Sequence, residues 1–155
     1  MTKAIPEGFH STTPMLIVKD ARKAIEFYKR AFGAVERYAM PWPDGKGVMH
    51  AEIQIGDSII MVGEENPKMS TKSAETLGTS PVNFYIYLEG VDEAYRKAVD
   101  AGARSQMAVE DMFWGDRAGT VLDPFGYSWM LATHVKDLTA KEIEEGAKAA
   151  FAKAA

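Results

Sequence analysis

Residues 83–102 read NFYIYLEGVDEAYRKAVDAG, a strand running into an amphipathic helix that stops at a glycine. Val91, Ala94, Tyr95, Ala98 and Val99 fall at i, i+3, i+4, i+7 and i+8, which lines one face of a helix with apolar groups. Gly102 stands where a helix C-terminus favours a left-handed residue. The same order of elements occurs seventy residues earlier. Thr13 to Val18 (TPMLIV) reads as a strand, and Ala24, Phe27, Tyr28, Ala31 and Phe32 repeat the helical spacing. Asp20 is placed to cap that helix and Gly33 to end it.

Further strands follow each helix. His50 to Ile55 (HAEIQI) alternates and turns through Gly56-Asp57 into Ser58–Val62 (SIIMV). Gly119 to Leu122 leads through Asp123-Pro124-Phe125-Gly126 into Ser128–Ala132 (SWMLA). Adding seventy carries Thr13 to Asn83, Ala24 to Ala94, Gly56 to Gly126 and Ser58 to Ser128. An internal repeat of this kind implies two copies of one α+β unit. The units span 11–63 and 81–135. Between them, 64–80 (EENPKMSTKSAETLGTS) reads as a polar, mobile linker. Residues 136–155 read as a helical tail, with Thr139 and Glu142 forming a capping box.

Composition is ordinary for a globular chain of 155 residues, with 46% apolar and 26% charged residues. A net charge of −4 supplies no basic surface for nucleic acid or an anionic membrane, and it argues neither for nor against a basic ligand. Without cysteine there is no disulfide, thiolate nucleophile or Cys-based zinc site. The first residues, MTKAIPEGFH, lack the apolar run of a secretory signal, and no stretch is long enough to span a membrane. The expectation is a cytoplasmic protein.

FYKRAFGA in the first helix, the GDSIIMV hairpin, and LDPFGYSW running into ATHVKDL together resemble the vicinal oxygen chelate superfamily. That group holds glyoxalase I, fosfomycin-resistance enzymes, extradiol dioxygenases and bleomycin-binding proteins. HAEIQIGDSIIM and DPFGYSWMLATHV look like its PhnB-like branch. The resemblance covers residues 11 to 136 and implies two βαβββ modules around a shared cleft, usually in a homodimer. It fixes a fold rather than a reaction. It also implies where the metal ligands of metal-dependent members would fall: Thr13, Ile60, Asn83 and Met130. A divalent metal of this class needs imidazole or carboxylate donors, which these four cannot supply. The expectation is therefore no metal and no cofactor.

Strand alternation indicates what faces the cleft instead. With Thr13 and Asn83 pointing inward, Met15, Ile17, Tyr85 and Tyr87 follow, while Leu16, Val18, Phe84 and Ile86 meet the helices. His50, Glu52 and Gln54 share that inward face, opposite Ala51, Ile53 and Ile55. Ser58, Ile60, Ser128, Met130 and Ala132 are expected there too. His50 and Glu52, with Cα atoms roughly 6–7 Å apart, are the candidate acid–base pair. The loop aromatics Trp42 and Trp114 are candidate ligand contacts. His10 reads as an exposed histidine, His134 as a capping or surface-packing one, and Asp111, Asp116 and Arg117 as a solvated or salt-bridged turn. The functional expectation is a small-molecule-binding protein whose metal-free cleft takes a partly aromatic compound. The alternative is a lyase or isomerase that works through His50 and Glu52 or, failing that, through a divalent metal.

Overall fold

The computed structural model describes residues 2–154. The elements are β1 (Met15–Val18), α1 (Ala21–Phe32), β2 (Val35–Pro41), β3 (Val48–Ile55), β4 (Ser58–Glu64), α2 (Ala74–Leu77), β5 (Asn83–Tyr87), α3 (Val91–Asp100), β6 (Arg104–Asp111), β7 (Asp116–Leu122), β8 (Ser128–His134) and α4 (Ala140–Ala154). They form two four-stranded sheets of the same topology, β1-β4-β3-β2 and β5-β8-β7-β6, each with one parallel pair and two antiparallel ones. This is the α+β tandem of βαβββ units expected from the repeat, followed by a C-terminal helix.

Local chemistry sets the helix ends as anticipated. Asp20 accepts from the Lys23 amide at 3.0 Å, and Gly33 ends α1 with φ 66°. Gly102 follows α3 with φ 119°. Thr139 and Glu142 cap each other's backbone ahead of α4. The connector between the sheets is not the loose linker its composition suggests. Pro67–Met69 makes a 3₁₀ turn, Ser73 and Ala74 are buried, and Glu65 accepts from the Ser73 amide and the Thr76 hydroxyl.

The two sheets share one core, built from their helix-bearing faces. Leu16, Val18, Ala51, Ile53 and Val62 from the first sheet join Val121, Trp129 and Leu131 from the second. Helix α1 bridges them: Tyr28 packs on Trp129 at 5.4 Å between ring centroids, and Phe27 on Phe125 at 5.8 Å. The Asp123-Pro124-Phe125-Gly126-Tyr127 loop is the fastening. Buried Asp123 accepts from the Tyr28 hydroxyl (2.7 Å), the Trp129 indole (2.8 Å) and the amides of Phe125 and Tyr127. The Tyr127 hydroxyl donates to the Ile17 carbonyl and accepts from the Ile17 amide, tying the loop to the free edge of β1. That leaves the opposite face of each sheet turned away from the core.

One strand sits in a different phase from the sequence expectation. Ile60 pairs with Ile53 and lies in the core, so it does not face the cleft. Met61, opposite Glu52 on one side and Met15 on the other, holds the place assigned to Ile60. The constant offset of seventy fails here for a simple reason. The β3–β4 turn has two residues (56–57), whereas the β7–β8 loop has five (123–127). Met15 pairs with Met61 and Tyr85 with Met130, so the equivalent of Met130 is Met61.

Candidate functional site

The outer face of the first sheet carries a row running Tyr38, Glu52, Met61, Met15 across four strands. His50, two residues from Glu52, places Nε2 3.4 Å from the Glu52 carboxylate, and its ring lies 6.4 Å from that of Tyr38. Alternation assigned His50 and Glu52 to this face, and both are partly exposed there. Ile59, also on this face, is covered by the N-terminal segment, whose Gly8 sits against Arg37 and Ile59.

The second sheet repeats the row as Tyr85, Met130, Thr120, Met107, but its chemistry centres on Asp116. This carboxylate is 2% exposed. One oxygen accepts from Tyr85 (2.7 Å), Tyr87 (3.1 Å) and the Trp114 indole (3.0 Å). The other meets His134 Nδ1 at 2.8 Å. The pairing explains the convergence. Asp116 lies opposite His134 on β8, and the next residues inward, Ala118 and Ala132, are small enough for both phenols to reach across them. Both alanines are fully buried. Burial alone would raise the Asp116 carboxyl, but the hydrogen bonds from Tyr85, His134, Tyr87 and Trp114 outweigh it and hold it below the usual range. Desolvation first, then the bond to Asp116, keeps Tyr85 and Tyr87 protonated. His134 is raised by hydrogen bonds to Asp116 and to Asp137, the latter at 2.9 Å from Nε2.

These findings revise the sequence expectations. Asp116 is a buried hub rather than part of a solvated or salt-bridged turn, whereas Arg117 is salt-bridged to Asp111, as expected, and also to Asp92. His134, read as a capping or surface-packing residue, is the partner of Asp116. Tyr85, Tyr87 and Trp114 come together as a group. Trp42 does not join them: it sits in the β2–β3 turn, and among the described residues its ring makes no aromatic contact or side-chain hydrogen bond. Nor do His50 and Glu52 meet the tyrosines: among the described residues no hydrogen bond joins them, and the groove that has Ile59 on one side and Tyr85 and Tyr87 on the other does not include them. The signal available in the sequence was the Tyr-x-Tyr on one strand face and the Trp-x-Asp of 114–116, since phenol and indole donors near a sheet require an acceptor.

A groove of about 830 Å³ runs along the open edge of β5. Phe32, Trp129, Phe84 and Ile86 line it, and Thr13, Tyr85 and Tyr87 stand at its sides. His10 is also among its walls.

The fold matches known proteins. A family model described as the Glyoxalase/Bleomycin resistance protein/Dioxygenase superfamily matches residues 9–131. The chain belongs to this superfamily. The uncharacterized protein Mb0911c of Mycobacterium bovis is 39% identical over 135 residues, covering 85% of this chain and 88% of that one. The solved Arabidopsis thaliana protein At5g48480 is 31% identical, with a TM-score of 0.65 over 80% of this chain and 98% of its own. At the level of fold alone, the fosfomycin resistance protein FosX of Listeria monocytogenes is 18% identical with a TM-score of 0.61, covering 86% and 97%.

The donor set does not suit the metal that some superfamily members hold. With Met61 in place of Ile60, the four positions are Thr13, Met61, Asn83 and Met130, and none offers imidazole or carboxylate. Among the described residues no three His, Asp or Glu side chains converge to replace them. No helix is long and apolar enough to cross a membrane.

Proposed function

We propose that this superfamily member binds a small, partly aromatic molecule without a metal, on the second-sheet face formed by Tyr85, Tyr87 and Trp114. The observation that carries this reading is the Asp116 hub. It fixes three aromatic side chains in place while leaving Tyr85 43% and Tyr87 65% exposed. Rings immobilised before binding lose little conformational freedom when a ligand arrives. Met130 and Asn83 extend the same face, as ligand contacts of lesser reach.

The other wall of the cleft comes from a second copy. Met15 and Tyr38 on the first-sheet face are 51% and 50% exposed, and apolar area on a sheet face calls for a partner surface. In a two-fold homodimer this face, with Thr13, Met15, His50 and Glu52, closes over the aromatic face of the other chain. A second reading rests on the His50–Glu52 contact: a histidine beside a carboxylate at a cleft wall suits proton transfer, as in a metal-independent lyase or isomerase.

A thermal-shift screen of small molecules tests the first reading. A compound at 100 times its dissociation constant stabilises the fold by about 2.7 kcal/mol, and Tyr85→Ala and His50→Ala are expected to lose most of that shift while remaining folded. Full retention of the shift by Tyr85→Ala would refute it. A compound that His50→Ala binds normally but no longer converts would favour the enzyme.

A further inference from the structure

We propose that the aromatic site on the second sheet selects an organic ammonium cation, one whose alkylated nitrogen is carried on an apolar or aromatic body. This rests on the reading that Tyr85, Tyr87 and Trp114 contact the ligand, and it adds the charge that ligand carries.

A phenol has one O–H and an indole one N–H. All three point at the same Asp116 oxygen, and the Trp114 N–H also lies 3.2 Å from the Tyr85 hydroxyl oxygen. What the group turns outward is ring face and oxygen lone pair, with no donor left over. An anion placed here would find nothing to accept from. A cation finds the negative faces of three rings. Tyr85 and Tyr87 pack on each other at 5.0 Å and 39°, so a cation would lie over their exposed outer faces, beside Trp114, which is joined to Tyr85 at 3.2 Å and braced edge-on by Phe113 at 4.9 Å.

A negative group also lies behind those rings. The Asp116 carboxylate is buried directly behind the rings, its other oxygen paired with His134 at 2.8 Å. Its hydrogen bonds also push electron density onto the phenols, which strengthens attraction between their faces and a cation. Two nearby cationic side chains are already engaged. His134 has a carboxylate on each ring nitrogen, Asp116 on one and Asp137 on the other. Arg117 is committed to Asp92 and Asp111. The facing wall in the proposed dimer brings Glu52 in a row with Met61 and Met15, again acceptor and soft apolar surface. Alkylated ammonium fits this lining better than a primary amine, because it carries few or no N–H groups to satisfy and is cheaply removed from water.

The test uses three phenols of nearly one shape and the full-length protein: 4-hydroxyphenyltrimethylammonium, its neutral isostere 4-tert-butylphenol, and 4-hydroxyphenylphosphonate. Affinities are read by calorimetry and by the shift of the Trp114 indole N–H resonance. The expected order is cation, then neutral, then anion, with the cation about tenfold tighter than its isostere. Tyr87→Leu, at a position 65% exposed and so tolerant of change, is expected to close most of that gap. If the neutral compound or the phosphonate binds as tightly as the cation, with Trp114 shifted, the charge inference fails and the pocket reading survives. If none of the three binds, both fail.

Discussion

Asp123 and Asp116 are two buried carboxylates, each satisfied by four donors that include a tyrosine hydroxyl and a tryptophan indole. They differ in where the donors come from. Two of the four at Asp123 are backbone amides of its own turn, and its Tyr28 and Trp129 partners are fully buried. Around Asp116 every donor is a side chain: Tyr85 and Tyr87 are exposed on the outer face, Trp114 partly so, and His134 is held on its other nitrogen by Asp137. The consequence is electrostatic as well as structural. Desolvation dominates at Asp123 and raises its carboxyl, whereas at Asp116 the donors win and lower it. The same local chemistry therefore fastens the two sheets in one place and arrays a recognition surface in the other.

That contrast can be broken by substitution. Asp123→Ala leaves the hydroxyl of Tyr28, the indole of Trp129 and two turn amides without an acceptor in the core, and is expected to cost about 3 kcal/mol or more. For a chain of this size that lowers the melting temperature by on the order of 10 °C; a loss under about 1 kcal/mol would show that the fastening lies elsewhere. Asp116→Ala is expected to cost less, about 1–3 kcal/mol, since its donors can turn to water, yet it should abolish ligand binding. Equal stability losses at the two sites would erase the distinction drawn between them. Tyr127→Phe removes both bonds to Ile17 and should cost about 1 kcal/mol without changing ligand affinity, as denaturant titration and calorimetry would report.

The smallest expected effect is a pH dependence at His134. Its folded pKa is raised, through hydrogen bonds to Asp116 and Asp137. The stabilisation it provides is therefore complete below the unfolded histidine value, near 6.5, and is lost as pH rises through the higher folded value. Trp114 fluorescence should change over that window in the parent and stay flat in His134→Gln. A matching transition in the variant would assign it to another group. The Asp116 carboxyl has the opposite sign: its contribution is present above the ordinary carboxylate range and disappears as acid reaches its lowered value.

Much of the fold was legible because periodicity is a local property. The helix stripes, the caps at Asp20 and Thr139, and the placing of His50, Glu52, Tyr85 and Tyr87 on the sheet faces away from the helices all followed from residue spacing. Strands β2 and β6 were not delimited, since VERYAMP and RSQMAVED lie at sheet edges, mostly exposed, with bulges that break alternation. Ile60 was misplaced because Ile59, Ile60, Met61 and Val62 are all apolar and carry no phase of their own. Its phase was borrowed from the repeat, across two turns of different length. Asp116 was illegible for a different reason. Its burial is conferred by Tyr85, Tyr87 and His134, which lie 18 to 31 residues away in sequence, and DMFWGDRAG alone resembles any polar turn.

The central claim is that ligand binds where Trp114 caps the Asp116 hub. The chain has three tryptophans, Trp42, Trp114 and Trp129, so a heteronuclear spectrum shows three indole N–H signals that single Trp→Phe variants assign. Titrating the compound that most raises the melting temperature should move the Trp114 signal and leave core Trp129 in place. Movement of Trp42 or Trp129 with Trp114 unchanged would contradict the account.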